Sequence, residues 1–476
     1  MAPPNNSSLR KAHAHKRRCL SSQQSSHRRL QAQALEQNDI DADADSIDGD
    51  GGDGDDNTPP ADTIIRTSKQ ATEDDESIRD TVSMQYTGWT VPKDNYALPT
   101  INIADLTPES FFNEYINNRR PVVLTGMLTD LSGIEKWKDN NYLLKMVGEQ
   151  SVMVERRTSK DDTFGEGNKT QLSFQQFLHL IVNDRDDMHY LTTQDVNMTD
   201  GRPDLMSPLM KALSNDFPLR PILMGSMVPQ NINLWIGNAT DGASSGLHHD
   251  YHDNLYIVLR GRKRFRLYSP IDAKKMYTTG ELVKVHSNGR INYKGEETSA
   301  SGADPTALAA WRKHEAEKML EDAERALAEG KPGAMEQVEQ AELLLDMAMD
   351  AMVDAEIHEE HREHQAVDSM IAKRHPNNFS KVDVNYLEDR ETLKQKYPKF
   401  LDANTAFCNL ETGSLLYLPA SWFHEVTSYG AVDGHMAMNY WFHPPDNDDF
   451  VNPYSSDYWA NDFSERFDSY TKSDLY

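Results

Sequence analysis

Cysteine is scarce in this sequence. Only two cysteines, Cys19 and Cys408, occur among the 476 residues. Two thiols exclude a scaffold held by several disulfides, and they exclude a zinc module with four cysteine ligands. Low cysteine use is also typical of proteins in a reducing compartment. We therefore expect an intracellular location, in the nucleus, the cytoplasm or both.

Long apolar runs and net positive charge are missing as well. No stretch approaches the roughly 18 consecutive apolar residues of a membrane-spanning helix, so we expect no membrane partner. The chain carries 49 Lys and Arg against 76 Asp and Glu, a formal net charge of −27. This excess of acid argues against non-specific nucleic-acid binding by the whole chain, and we expect no direct contact with nucleic acid.

Apolar and aromatic residues are especially few in residues 1–95. Hydrophobic residues make up 38% of the chain. In globular domains the apolar share, counted with glycine and without tyrosine, is roughly 45–50%. The chain stays below that range when its residues are counted in the same way. We predict that residues 1–95 form a disordered tail. The tail has no acid before Glu36, and then nine Asp and no base between Asp39 and Asp56. Its basic part is either a nuclear import or organelle transit signal, or a solvated tail.

The rest of the chain has the composition of a folded protein. Residues 96–220 mix strand-like and helix-like patterns, and we assign them to an α/β support region. Short runs with period-two alternation fill residues 231–268 and 405–443. This pattern predicts a β-sandwich or barrel over residues 221–446.

A helical insertion, residues 295–396, interrupts the β-rich part. It contains a long stretch rich in Ala, Glu, Met and Leu, in which Asp304 is a helix N-cap and Pro305 the first helical residue. Gly330 and Gly333 break that stretch, so we predict a hairpin of two helices.

The C-terminal residues 447–476 contain a second helical signal. Residues 457–475 have Phe463, Phe467 and Tyr470 on one side of an amphipathic helix. Two interpretations stay open. The helix caps the barrel, or it pairs two chains in a homodimer.

Three polar side chains in the β-rich blocks have the types and spacing of metal ligands. His248 and Asp250 share one face of a strand, and His249 points to the other face. His424 lies on an apolar strand of the second block, where a polar ring is out of place. Two histidines and a carboxylate form the facial triad that leaves three positions open on Fe(II). The alternative is a structural histidine and an aspartate at a strand edge.

A lysine follows on the next strand of the first block. Lys263, Phe265 and Leu267 share one face of this strand, and the arginines point to the other. Lys263 is therefore predicted to point inward, which is costly for an unpaired charge. Its partner is either a dianionic cosubstrate or an internal Asp or Glu.

These blocks resemble the JmjC-domain, cupin-like family of Fe(II)- and 2-oxoglutarate-dependent oxygenases. The first block is Leu247-His248-x-Asp250, with Asn254 four residues and Lys263 thirteen residues after Asp250. The second is Pro419-Ala-Ser-Trp-Phe-His424, with Asn439 fifteen residues after His424. The resemblance is greatest to the small protein hydroxylases that consist of a JmjC domain alone. The hairpin and the N-terminal tail are departures from these proteins.

The resemblance implies a fold and a set of roles. The fold is mainly β with α: a double-stranded β-helix, or jelly-roll, with flanking helices and the inserted hairpin. Iron, 2-oxoglutarate and O₂ are the implied cofactor and cosubstrates. The implied iron ligands are His248, Asp250 and His424; the residues at 2-oxoglutarate are Lys263, Ser245 and Tyr190; and the residues that line or support the pocket are Asn254 and Asn439.

The implied reaction is hydroxylation of a protein side chain, coupled to decarboxylation of 2-oxoglutarate to succinate. Two alternatives stay open: a histone lysine demethylase of the same family, and a catalytically inactive cupin that acts as a scaffold. Two cysteines cannot build a cysteine-rich reader module of the kind found in chromatin demethylases, which weighs against the first alternative. Complete ligand and cosubstrate positions weigh against the second.

Overall fold

The computed structural model of the protein describes residues 82–126, 128–159, 168–199, 201–239, 242–370 and 376–471. The basic and acidic stretches of the predicted N-terminal tail lie outside these residues. The basic stretch that was interpreted as a targeting signal is therefore not among the residues described.

Strands predominate, and the two longest helices lie in the insertion. The strands are β1 Ser83–Met84, β2 Tyr96–Ala97, β3 Thr100–Asn102, β4 Val122–Thr125, β5 Ser151–Arg156, β6 Asn168–Ser173, β7 His189–Leu191, β8 Met198–Thr199, β9 Arg202–Pro203, β10 Pro229–Gly237, β11 Ala243–Ser244, β12 His248–His249, β13 Asp253–Arg260, β14 Arg262–Tyr268, β15 Leu282–Val285, β16 Ile291–Tyr293, β17 Ala406–Glu411, β18 Leu415–Leu418, β19 Phe423–Tyr429 and β20 His435–Phe442. The helices are α1 Pro108–Phe111, α2 Asn140–Val147, α3 Phe174–Val182, α4 Pro208–Ala212, α5 Pro305–Ala328, α6 Ala334–Met370, α7 Arg390–Lys396 and α8 Tyr458–Thr471.

Two sheets form the body of the barrel. The nine-stranded sheet has the order β3-β4-β18-β13-β20-β10-β7-β5-β6, and the other has the order β11-β19-β14-β17-β2 with β12 paired to β19. Inward residues of both sheets share one core, including Tyr256 and Val258 of β13 and Phe265 and Leu267 of β14. Two sheets around a common core are the layout of a jelly-roll, and the predicted fold class is confirmed.

The outer face of the large sheet is also buried. Leu255 and Ile257 of β13 point away from the barrel interior and pack with Phe111 and Trp137 of the N-terminal support region. Every residue of β13 is therefore buried. Burial on both faces favours a nearly continuous apolar run, which β13 has over residues 255–259.

The helical hairpin begins and turns where the sequence predicts. Asp304 caps α5 by accepting a hydrogen bond from the amide of Ala307 at 2.9 Å, and Pro305 is the first residue of the helix. Gly330 and Gly333, in the turn between α5 and α6, have positive φ angles of 71° and 76°. Glycine adopts this conformation without a steric penalty.

Two predicted boundaries differ from the structure. The folded part begins before residue 95, because β1 pairs with β15 and Tyr86 and Val91 are buried in the body of the protein. The insertion is narrower than 295–396, because Val382 and Leu393 belong to the core cluster on the outside of the small sheet. Isolated apolar residues between polar ones carry too little periodicity to be assigned to a core from sequence.

The C-terminal helix α8 packs on its own chain. Phe467 is buried in the main core and Phe463 packs against it. Asp462 also forms an ion pair with Arg202 at 2.8 Å. This agrees with the capping interpretation, and homodimer formation through α8 stays a prediction. None of the helices within the described ranges is long and apolar enough to cross a membrane.

Candidate metal centre and cosubstrate pocket

The three predicted metal ligands meet between β12 and β19. His248 lies directly opposite His424 in the antiparallel ladder, and their ring centroids are 4.4 Å apart. Asp250 follows β12, and its Oδ2 lies 3.7 Å from Nε2 of His424. One potential ligand atom from each residue lies within 4.8 Å of the others. This spacing suits a single metal ion.

Backbone carbonyls orient both imidazole rings. Nδ1 of His248 is 3.0 Å from the carbonyl oxygen of Gly246, and Nδ1 of His424 is 2.8 Å from that of Trp422. A carbonyl only accepts, so each Nδ1 carries the proton and each Nε2 keeps its lone pair for a metal. Burial, together with the neighbouring His248, lowers the pKa of His424 to about 4. The ring is thus neutral, as metal binding requires.

A segment that follows the hairpin supports the first ligand strand. Phe379 stacks on the His248 ring, with centroids 5.0 Å apart and planes inclined by 13°. The Asn378 side chain donates to the carbonyl of His249 at 2.6 Å, and the amide of Ser380 donates to the carbonyl of Leu247 at 2.8 Å. The sequence does not indicate this contact, because the segment lies more than a hundred residues from the strand that it joins.

His249 points away from the ligands, as the strand alternation predicts. It is fully buried, and its Nε2 lies 2.8 Å from the hydroxyl of Tyr293. Its ring packs edge-on against Phe423. The side chain therefore belongs to the core outside the barrel and not to the metal centre.

Lys263 is a buried amine in the barrel interior. Its side chain is 0% exposed, and Nζ donates to Ser428 Oγ at 2.6 Å, to His435 Nδ1 at 3.2 Å and to Tyr190 OH at 3.5 Å. None of the acids in the described part of the chain forms an ion pair with it. Burial lowers the pKa of Lys263 to about 7. The inward orientation is confirmed, and an anionic ligand would supply the charge partner that this amine lacks among the described residues.

The contacts of Lys263 with Ser428 and His435 were not predicted from the sequence. Ser428 lies opposite Lys263 in the pairing of β14 with β19, and His435 begins β20. Because Nδ1 of His435 accepts from Lys263, the proton of this ring is on Nε2, which has no hydrogen-bond partner among the residues described. Alternation along β19 places Ser428 on the same face as His424. This alternation is the sequence feature from which the inward position of Ser428 could have been predicted.

Ser245 follows β11 and bonds to β19 at Val426, two residues before Ser428. Its amide donates to the carbonyl of Val426 at 3.0 Å. Its hydroxyl accepts from the amide of Val426 at 3.1 Å and donates to the carbonyl of Gly246 at 3.1 Å. The hydroxyl that contacts Lys263 is that of Ser428, and a contact of Ser245 with 2-oxoglutarate stays a prediction.

Asn254 and Asn439 form a buried chain of amides with Trp235. Nδ2 of Asn439 donates to Oδ1 of Asn254 at 3.0 Å, and the Trp235 indole donates to Oδ1 of Asn439 at 2.7 Å. These bonds hold both amides and the indole in one orientation, which agrees with the supporting role that the resemblance implies.

The residues present fit the group that the resemblance implies. Two neutral imidazoles and one carboxylate are a donor set suited to Fe(II), with open positions left for cosubstrates. Lys263 and the unpartnered Nε2 of His435 are buried donors that suit a carboxylate. Bound Fe(II) with 2-oxoglutarate supplies the activation of O₂ that attack on a C–H bond requires. The protein's residues would hold the metal and orient the cosubstrate.

Comparison with known proteins agrees with this site. The profile of the cupin-like domain matches residues 108–448. The chain is 34% identical to JmjC domain-containing protein 4 of Schizosaccharomyces pombe, over 78% of this chain and 89% of that protein. It is 21% identical to the lysine-specific demethylase JMJ32 of Arabidopsis thaliana, over 71% of this chain and 79% of that protein.

A human protein is similar over the same extent. The bifunctional peptidase and (3S)-lysyl hydroxylase JMJD7 is 21% identical, over 71% of this chain and 81% of that protein. The match of the cupin-like profile to most of the chain, together with the His-Asp-His group, determines the family. The protein belongs to the JmjC-domain, cupin-like family of Fe(II)- and 2-oxoglutarate-dependent oxygenases.

Proposed function

We propose that this oxygenase hydroxylates a side chain of another protein. One oxygen atom of O₂ enters a C–H bond of the target side chain as a hydroxyl group. The other enters succinate as 2-oxoglutarate loses CO₂. In this reaction Lys263 binds the distal carboxylate of 2-oxoglutarate, and His248, Asp250 and His424 hold the metal.

The observation that carries the choice of hydroxylation is the packing of the aromatic residues near the site. A methylated lysine is commonly held by cation–π contacts with aromatic faces. Trp235 and Trp441 have ring centroids 6.3 Å apart and planes at 73°, which is direct edge-to-face contact. Trp422 and Phe423, next to His424, are buried in the core. Each of these rings packs against other side chains of the protein, which favours an unmethylated target.

The names of two relatives suggest lysine as the target residue. JMJD7 is named a (3S)-lysyl hydroxylase, and JMJ32 is named a lysine-specific demethylase. Lysine is therefore the first residue type to examine. The second name also makes demethylation the alternative that the experiment must separate.

The test measures three products in one reaction. The purified protein is incubated with Fe(II), 2-oxoglutarate and a proteome extract, and succinate, formaldehyde and tryptic peptide masses are measured. We expect succinate, gains of one oxygen on unmethylated residues, and no formaldehyde. His424→Ala serves as the control without a complete metal centre.

Two results would contradict the proposal. Stoichiometric formaldehyde from methyl-lysine peptides, without oxygen gain elsewhere, would make the protein a demethylase, because hydroxylation of an N-methyl carbon releases formaldehyde. No succinate from wild type above the level of His424→Ala would make it an inactive cupin.

A further inference from the structure

His435 is a buried imidazole at the first position of β20. The residue is 1% exposed. Its side chain points into the barrel, because Ala437, two positions later on the strand, belongs to the barrel core. The ring centroid lies 5.5 Å from that of Tyr190. Burial, together with the nearby Lys263, holds the pKa of His435 well below its ordinary value, so the imidazole is neutral at physiological pH.

Two glycines make room for the His435 ring. Gly237 lies directly opposite His435 in the pairing of β10 with β20. A Cβ atom on Gly237 would lie 3.0 Å from Nε2 of His435 and 2.7 Å from the Tyr190 ring. A Cβ atom on Gly261, which has a φ angle of 71°, would lie 2.9 Å from the Cβ of His435. Larger residues at these positions would displace the ring, so the backbone on two sides determines where the ring lies.

The amine of Lys263 is held from both sheets of the barrel. Nζ donates to Oγ of Ser428 at 2.6 Å and to Nδ1 of His435 at 3.2 Å. Ser428 belongs to β19 in the smaller sheet, and His435 belongs to β20 in the nine-stranded sheet. Lysine has a flexible four-carbon stem that does not fix the direction of its amine. Two acceptors on opposite sheets therefore give this amine a defined position.

The other groups around the amine do not replace His435 as an acceptor. Across the pairing of β14 with β17, Lys263 faces the apolar Leu410. The hydroxyl of Tyr190 is 3.5 Å from Nζ, at the upper limit of a hydrogen bond. Burial, and the charge of Glu155 on the neighbouring strand, raise the pKa of Tyr190, so this hydroxyl keeps its proton. Within the described residues, Nδ1 of His435 is the only nitrogen acceptor for this amine.

We propose that His435 is a positioning residue for the cosubstrate: its Nδ1 accepts from Lys263, favours the charged amine and directs it at the distal carboxylate of 2-oxoglutarate. This inference rests on the role of Lys263 in the proposed function. A hydrogen bond to the charged form of a group favours that form, and it offsets part of the cost of burying a cation. An amine that is already ordered loses less conformational entropy when the ligand binds.

Asparagine and glutamine distinguish the two nitrogens of the ring. The side-chain oxygen of asparagine lies near the place of Nδ1 of a histidine, whereas the longer glutamine places its amide near Nε2. Both amides can accept a hydrogen bond. His435→Asn therefore keeps an acceptor for Lys263, and His435→Gln keeps a polar group only at the far side of the ring. His435→Leu removes both.

The first experiment measures cosubstrate binding without turnover. Each full-length protein is loaded with Mn(II) under nitrogen and titrated with 2-oxoglutarate by calorimetry. His435→Leu should bind about 10–100-fold more weakly than wild type, the range expected for a hydrogen bond that involves a charged group. His435→Asn should restore most of the affinity, and His435→Gln should bind as weakly as His435→Leu. The affinity for Mn(II) should be equal in all four proteins, because no metal ligand changes.

A pH series distinguishes positioning from packing. The affinity of wild type should decline above pH 7, where the free protein loses the proton of Lys263. Loss of an acceptor lowers the pKa of this amine further, so the decline in His435→Leu should begin at a lower pH. His435→Asn should follow wild type.

The matched control is a second buried histidine replaced by the same residue. His286, in the turn between β15 and β16, is 8% exposed. His286→Leu should leave both the affinity for 2-oxoglutarate and its pH dependence unchanged. Urea unfolding of all variants shows how much stability each replacement removes. If His435→Leu does not fold, the comparison of His435→Asn with His435→Gln decides.

The outcomes distinguish this inference from the proposed function. Equal affinity of wild type and His435→Leu, with weak binding by Lys263→Met, overturns the inference alone. Restoration by His435→Gln and not by His435→Asn assigns the effect to Nε2 and also overturns it, as does weak binding by His435→Leu with an unshifted pH series. Equal binding by wild type and Lys263→Met contradicts the role of Lys263 in the proposed function, and the inference falls with it.

Discussion

At the scale of single residues, Lys263 is a buried base whose charge depends on the ligand beside it. Burial lowers its pKa from the ordinary 10.5 to about 7, so the free protein loses this proton as the pH rises through 7. A bound dianion favours the charged amine and raises the pKa again. Binding of 2-oxoglutarate above pH 7 should therefore take up a proton.

The first prediction concerns this linkage. The apparent affinity of wild type for 2-oxoglutarate should decrease as the pH rises above 7, with proton uptake visible by calorimetry in two buffers of different ionisation enthalpy. Lys263→Met should bind at least about a hundredfold more weakly, since loss of one partner of a buried pair costs about 3–5 kcal/mol. The residual affinity of the Lys263→Met variant for 2-oxoglutarate should not change with pH in this range. The same affinity in both proteins would mean that Lys263 has a structural role.

The second prediction contrasts the neighbouring histidines. His424→Ala should abolish tight Fe(II) binding with little loss of thermal stability, because a ligand is lost but little apolar contact. His249→Ala should keep the ligands and lower the free energy of unfolding by about 1–3 kcal/mol, because the hydroxyl of Tyr293 loses its buried partner. Metal titration and denaturant unfolding of both variants check this. Equal loss of metal by both would contradict the strand register.

The third prediction concerns Phe379, which orients the His248 ring from outside the metal centre. Phe379→Ala should lower Fe(II) affinity by about 10–100-fold, the usual effect of removing support from a metal ligand. Phe379→Tyr keeps the stacked ring and should restore the affinity. Co(II) titration followed by its visible absorption bands measures this independently of turnover. An unchanged Co(II) spectrum and affinity in Phe379→Ala would exclude the positioning role.

At the scale of elements, the insertion has two parts with different consequences. Helices α5 and α6 pair with each other, whereas the segment after them bonds to the ligand strand. Asn378 donates to the carbonyl of His249, and the amide of Ser380 donates to that of Leu247. Only the second part supports the metal centre.

The fourth prediction compares two deletions. Replacement of residues 305–370 by a Gly/Ser linker should leave a folded enzyme with uncoupled 2-oxoglutarate turnover, because loop-closure entropy changes slowly with length. Replacement of residues 301–378 also removes the contact with His249, and should lower Fe(II) affinity or prevent folding. Circular dichroism and succinate release report both outcomes. Loss of the fold in the shorter deletion would show that the hairpin belongs to the core.

At the scale of the whole molecule, a buried ion pair joins the N-terminal support region to the barrel. Arg119 Nη1 lies 2.8 Å from Asp253 Oδ2, and its Nη2 contacts the other oxygen. Asp253 also accepts from the hydroxyl of Tyr417 at 2.6 Å and from the amide of Ala420 at 2.9 Å. Arg119 and Asp253 are both buried.

The fifth prediction measures this ion pair. Arg119→Met should lower the free energy of unfolding by about 3–5 kcal/mol, because it leaves Asp253 as a buried unpaired charge. Combining it with Asp253→Asn should recover part of the loss, since no unpaired charge then remains. Urea unfolding of wild type, the two single variants and the double variant gives the coupling free energy between Arg119 and Asp253. Additive losses would mean that the two residues act independently.

Local patterns in the sequence determined much of this protein. Alternation along β14 placed Lys263 inward, and the spacing of His248 and Asp250 placed two candidate metal ligands on one face. Asp304 and Pro305 marked the first residue of a helix. Each of these depends on residues within a few positions of one another, and strand alternation or helix capping acts over that distance.

The tertiary structure alone decided which distant residues meet. Ser428 reaches Lys263 through the pairing of β14 with β19, and Phe379 reaches His248 across the whole insertion. Periodicity states which face a residue occupies, but it carries no information on its cross-strand neighbour. The exposure of Leu343 on α6 was likewise decided by tertiary packing, because pairing with α5 buries Ala341 and Ala348 and turns the other side of α6 outward.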